Sequence, residues 1–114
     1  MSNPNRHATD AWILTDARGR IQAISSAAHE VLGTPRLSRG DHLPSRFASL
    51  KKALLFDMEV ALTGWPTERT LVLEEISRRP VAVRYRVSRK CSTEDVGLFW
   101  RLGLVEREER LLCA

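Results

Sequence analysis

Residues 13–33 read ILTDARGRIQAISSAAHEVLG, and their punctuation decides the fold. Trp12-Ile13-Leu14-Thr15 is a short apolar run, followed by a polar turn, Asp16-Ala17-Arg18-Gly19. Asp hydrogen-bonds nearby backbone and Gly accepts positive φ, so this turn suits a hairpin. Arg20-Ile21-Gln22-Ala23-Ile24 is a second extended run. Ser25-Ser26 then opens a helix, because a serine hydroxyl caps the free N–H groups of a first turn, and Gly33 closes it by taking the left-handed conformation.

Working outward, residues 1–10 are polar and are expected to form a tail or short cap; they lack the apolar run of a secretory signal. Residues 34–44 contain Pro35 and Pro44 and predict turns with at most one helical turn. The spacing of Phe47, Leu50, Leu54, Met58, Ala61 and Leu62 predicts a long helix over 45–63, capped by Ser45 and ended by Gly64 and Pro66. Lys51, Lys52, Asp57 and Glu59 are placed on its wet side, with Leu55 and Phe56 widening the apolar arc. Three strands follow: 69–76, 81–88 and 97–105, separated by a turn at 77–80 and a polar loop at 89–96. In the second, Val81, Val83, Tyr85 and Val87 alternate with Ala82, Arg84 and Arg86. In the third, Leu98, Trp100, Leu102 and Leu104 alternate with Phe99, Arg101, Gly103 and Val105. Glu106 and Arg110 form an i, i+4 pair in a helix-prone end, 106–114.

The opening unit resembles the start of a PAS domain, whose pattern is approximately apolar-apolar-x-Asp-x-x-Gly-x-Ile, Asn-x-Ala-Ala, Leu-Gly. Asp16, Gly19, Ile21, Ala27-Ala28 and Leu32-Gly33 match, and Ser25 stands where the Asn is usual. The element order over 11–105 is also the PAS order. The resemblance implies an α+β fold: a five-stranded antiparallel sheet with helices packed on one face. It implies a sensory or regulatory domain, with 106–114 the start of a C-terminal linker or signalling helix that relays to an effector domain. The family's Asp-x-Thr after the last strand is replaced by Glu106-Arg107-Glu108.

Composition bounds the function. The chain has 114 residues, 43% hydrophobic and 28% charged, with a net charge of +4, which is the range of one soluble domain. No apolar run is long enough to span a membrane. Two distant cysteines, Cys91 and Cys113, fit a reduced, cytoplasmic setting. The arginines are interspersed with acids, so a solvated basic surface is expected rather than a nucleic-acid site. Ser25, Ser26, His29 and Asp16 form no nucleophile elbow, and no phosphate loop or dinucleotide fingerprint occurs, so no catalysis is expected. His7, His29 and His42 offer no paired metal spacing with the cysteines. The PAS resemblance would place a haem-ligating His on the long helix and a flavin-reactive Cys in 37–44; neither residue is there. Haem and flavin are therefore unsupported, and the cofactor stays unknown.

Two surfaces remain. If Ile13 and Thr15 point inward, they face Leu54, Met58, Val83, Tyr85 and Trp100. That set lines either a pocket for a small organic ligand, with the Tyr85 hydroxyl and Trp100 indole as polar handles, or a filled core, the plainer reading. On the opposite sheet face, Trp12, Leu14, Phe99 and Val105 form an apolar patch that something should cover. PAS domains often dimerise there, so a homodimer is expected; a stand-alone protein-interaction module with a filled core is the alternative.

Overall fold

Alternating side chains and the Asp16–Gly19 turn build the sheet directly. The computed structural model describes residues 11–32, 37–74, 80–91 and 95–104. Its strands are β1 (Ala11–Asp16), β2 (Ile21–Ile24), β3 (Thr67–Glu74), β4 (Pro80–Cys91) and β5 (Val96–Leu104). They form one five-stranded antiparallel sheet in the order β2-β1-β5-β4-β3. Among the described residues two α-helices, α1 (Ser26–Leu32) and α2 (Lys51–Leu62), join the strands. The fold is therefore the expected α+β arrangement. Among the described residues no helix is long and apolar enough to cross a membrane.

The opening hairpin closes as its chemistry dictates. Asp16 Oδ1 accepts from the Arg18 and Arg20 backbone N–H groups, both at 2.9 Å. Gly19 has φ +95°, and a side chain there would begin 3.0 Å from Met58 Cε and 3.1 Å from Pro44 Cδ; only glycine meets both demands. Ser25 Oγ accepts from Ala28 N at 3.2 Å, capping α1, and from Trp12 N at 2.9 Å, tying the cap to β1. Its serine thus does the work expected of the Asn. The outer edge of β2 is not left open. Ile21 donates to Asp41 O, Gly40 to Ile21 O, and Leu43 to Gly19 O, so the 40–43 segment covers backbone that would otherwise pair with another chain.

The predicted helix over 45–63 is shorter than expected. Residues Leu43–Arg46 and Ala48–Leu50 form two 3-10 turns, and α2 starts only at Lys51. Pro44 sits at the start of the first turn, where its missing N–H is harmless. Ser45 does not cap α2; its hydroxyl lies 2.6 Å from His42 Nδ1. Strand ends also move: β3 begins at Thr67, and β4 and β5 run into the predicted 89–96 loop. Gly33, the 77–79 part of the turn, Ile76, Val105, residues 1–10 and the 106–114 linker lie outside the described residues.

One core fills the space between the helices and one sheet face. Ile13, Leu98, Trp100, Val83 and Val87 from the sheet are at most 1% exposed, and Leu54, Met58, Ala61, Val31 and Leu32 cover them. β5 approaches β1 closely at Gly97, where a Cβ would lie 2.6 Å from the Thr15 carbonyl oxygen. That atom is strand backbone and cannot step aside. Gly97→Ala is therefore expected to cost about 2 kcal/mol, in the range of overpacking, read from urea unfolding. A loss within ordinary surface scatter would show that the strands separate easily here.

Candidate functional site

All seven residues expected to line the interior are buried: Ile13, Thr15, Leu54, Met58, Val83, Tyr85 and Trp100. They do not converge on one pocket. Ile13, Leu54, Val83, Tyr85 and Trp100 line a cavity of about 30 Å³, together with Leu32, Leu43, Phe47 and Leu102. Thr15 and Met58 stand apart from it. Thr15 lies nearer the hairpin, under the Trp100 indole, and Met58 packs against Gly19. Ligand pockets measure roughly 300–1,000 Å³; this one has room for about one water and an apolar wall that gives water no partner.

Both polar handles are engaged inside the protein. Trp100 Nε1 donates to Thr15 Oγ1 at 3.1 Å. The Tyr85 hydroxyl donates to Asp57 Oδ2. Tyr85 and Trp100 also pack on each other, with ring centroids 5.4 Å apart. Asp57 was expected on the wet side of the long helix, yet it is 2% exposed. It is three residues after Leu54 and four before Ala61, so it belongs to the buried face by helical period; that spacing was the available signal. Arg69, on β3 opposite Tyr85 in register, completes its shell, with Nε 2.7 Å from Oδ2 and Nη2 2.9 Å from Oδ1. Burial works to raise the Asp57 pKa, but the hydrogen bonds from Arg69 and Tyr85 and the Arg69 charge hold it below the usual carboxylate value. Burial, reinforced by Asp57, pushes the Tyr85 phenol up. Asp57 accepts and holds the Arg69 guanidinium more firmly charged. The network bolts α2 to β3 and β4. Conversely Phe56, expected to widen the apolar arc, is 59% exposed, and Trp65 just beyond α2 is 72% exposed.

The opposite face of the sheet carries the second expected set. Trp12 pairs with Arg101 and Leu14 with Phe99 in the β1–β5 register. The Trp12 and Phe99 rings stack with centroids 6.2 Å apart and an interplanar angle of 25°. Lys90 Nζ sits 5.8 Å from the Phe99 centroid. Trp12, Leu14 and Phe99 are each half-buried. The strand phase on β5 is the expected one: Leu98, Trp100 and Leu102 are buried while Arg101 is exposed. Val105 cannot be placed with this group, since it lies outside the described residues. Two open depressions flank the patch. One of about 490 Å³ runs past Leu14, Asp16, Arg18, Gln22, Lys90 and Gly97. The other, about 310 Å³, is walled by Glu68, Arg84, Arg86 and Arg101 and floored near Gly103. Sequence alternation placed these arginines outward but could not align them. Among the described residues no cluster of His, Cys, Asp and Glu is placed to hold a metal ion.

No family model matches this sequence, and no curated protein matches it. Solved structures do. The PAS domain of BvgS from Bordetella pertussis is similar with a TM-score of 0.67 at 13% identity, over 92% of this chain and 83% of that one. VqmA of Vibrio cholerae, a LuxR-type receptor seen as a dimer, is similar with a TM-score of 0.72 at 12% identity, over 95% of this chain and 53% of that one. This chain thus spans about half the length of VqmA. A sensory box histidine kinase structure from Vibrio cholerae gives a TM-score of 0.62 at 8% identity, over 84% of this chain and 82% of that one. At these identities the likeness establishes the fold, which is that of a PAS domain.

Proposed function

We propose that this PAS-fold chain is a regulatory module of a signal-transduction or transcription-regulatory protein that works through the outer face of its sheet, as a homodimer. One observation carries this reading. The interior closes around about 30 Å³, while Trp12, Leu14 and Phe99 stand together on the opposite face. A module of this kind needs no cofactor and performs no catalysis. A change at the dimer face passes through β1 and β5 toward the C-terminal segment and an effector. The physical requirement is that a partner binds two states of the domain differently. The structural neighbours support a regulatory setting: one is a sensor kinase and another a receptor dimer in their own proteins.

Ligand sensing is the second reading, favoured by the apolar wall of the cavity beside Tyr85 and Trp100. It requires the core to expand about tenfold in free volume to reach ordinary pocket size. The outer-face reading is tested by Trp12→Arg. A buried charge in the middle of an apolar contact is strongly unfavourable, so the variant is expected to sediment as monomer where the parent sediments as dimer, with its circular dichroism spectrum retained. An unchanged sedimentation coefficient for the variant would refute a dimer built on this patch.

A further inference from the structure

Beside Trp12, three charges cross the outer face of the sheet, for which internal packing offers no reason. Trp12, Arg101, Arg86 and Glu68 stand opposite one another in register from β1 to β3. Arg86 and Arg101 are direct cross-strand neighbours and both are exposed. Like charges in that position weaken a sheet. Among the described residues neither ion-pairs with a carboxylate, although Glu68 is next in the row. Arg84 lies on the same face two residues from Arg86, and its cross-strand partner is Gly103. A side chain at Gly103 would meet nothing within 4 Å, so the floor of the 310 Å³ depression is open.

We propose that this row is a docking site for an acidic segment of a partner protein, whose carboxylates pair with Arg86 and Arg101 and whose chain lies in the depression toward Arg84 and Gly103. The proposal rests on the reading of the outer face as the working surface and adds the chemistry of what it receives. Two arginines held opposite each other by the strand register offer forked donors that match carboxylates. An anion between them also removes the repulsion that the free sheet carries. Arg101 and Arg86 follow Trp12 across β5 and β4, beside the apolar patch, so a dimer on Trp12, Leu14 and Phe99 leaves the two arginines at its rim. A second copy would bring arginines to arginines with only Glu68 to offset them. Nucleic acid fits less well. The Phe99 ring is already engaged by Trp12 and Lys90, so it is not a free platform for a base, and Glu68 opposes a phosphate track.

The test is selection of random phage-displayed peptides on the full chain, followed by fluorescence anisotropy of the enriched peptides. The R86Q/R101Q variant and a short oligouridylate serve as comparisons. Enriched sequences are expected to be rich in Asp and Glu and to bind the variant at least about tenfold more weakly. A second variant, Arg101→Glu, creates an opposite-charge pair with Arg86 and is expected to melt no lower than the parent while losing the peptides. A role confined to folding would not separate those two readouts. Enriched peptides without acids, or equal binding by R86Q/R101Q, would overturn the proposal. So would tighter binding of the oligouridylate that is lost in R86Q/R101Q. Sedimentation of R86Q/R101Q reports the dimer independently: loss of peptides with the dimer intact supports this site, and a monomeric parent that binds acidic peptides removes only the homodimer.

Discussion

Arg69→Met is expected to destabilise the chain by about 3 kcal/mol near neutral pH, because it leaves the Asp57 carboxylate buried without its cation. Asp57 is 2% exposed and keeps only the Tyr85 hydroxyl after the change. Solvent reaches the Arg69 side, whose side chain is 37% exposed, so the cost falls at the lower end for a broken buried pair. The pH dependence identifies the cause. In the parent the folded-state pKa of Asp57 lies below its ordinary value of 3.8. The carboxylate therefore contributes stability that is fully present above about pH 4 and is lost as the pH falls through the lower, folded-state value. In Arg69→Met, burial acts without the arginine and lifts that pKa above the unfolded one, so stability is instead lost as pH rises. The gap between parent and variant is expected to be small in acid and to widen toward neutrality, read by urea unfolding across the range. A gap independent of pH would mean that the arginine's packing, not its charge, is what matters. Replacing Asp57 and Arg69 by leucine together with Tyr85→Phe removes every orphaned group. It is expected to recover most of the loss, as apolar replacement of buried ion pairs generally does.

Trp100→Ala is expected to cost about 4 kcal/mol, the usual size for deleting a buried indole. Trp100 is 1% exposed, sits between Ile13 and Val87 in register, and donates the N–H that satisfies Thr15 Oγ1. Its removal joins a new void to the existing 30 Å³ cavity. Dry apolar voids of that kind take up small apolar molecules, so benzene is expected to raise the melting temperature of the variant and leave the parent unchanged. Trp100→Phe keeps most of the volume and loses the N–H; it should cost about 1–2 kcal/mol, the scale of a buried hydroxyl left without its donor. A parent that benzene stabilises as much as the variant would show that its core opens readily, which favours the ligand-sensing reading.

The hairpin and first helix were legible because each rests on local chemistry. Asp16 closes its own turn, Gly19 takes positive φ, and Ser25 caps α1. The central strands were legible because Val83, Tyr85 and Val87 alternate with exposed arginines. The start of α2 was not. Phe47 and Leu50 are three residues apart, a spacing shared by the 3-10 helix and the α-helix, so period alone could not divide 45–63. Asp57 is a charge on a helix whose period turns it inward, and its partners lie on strands that only the tertiary fold brings near. The same holds for the polar handles: that Tyr85 and Trp100 spend their donors on Asp57 and Thr15 is a matter of long-range geometry. The Arg86–Arg101 neighbourhood required the strand register, which alternation within a single strand does not supply.

Native mass spectrometry of the freshly purified full chain, beside its denatured mass, tests the central claim most directly. A filled core and a working outer face predict a dimer of bare chains, with no extra mass lost on denaturation. A monomer, or a chain carrying a non-covalent mass that denaturation releases, would contradict that account and return the interior to the centre of the protein's function.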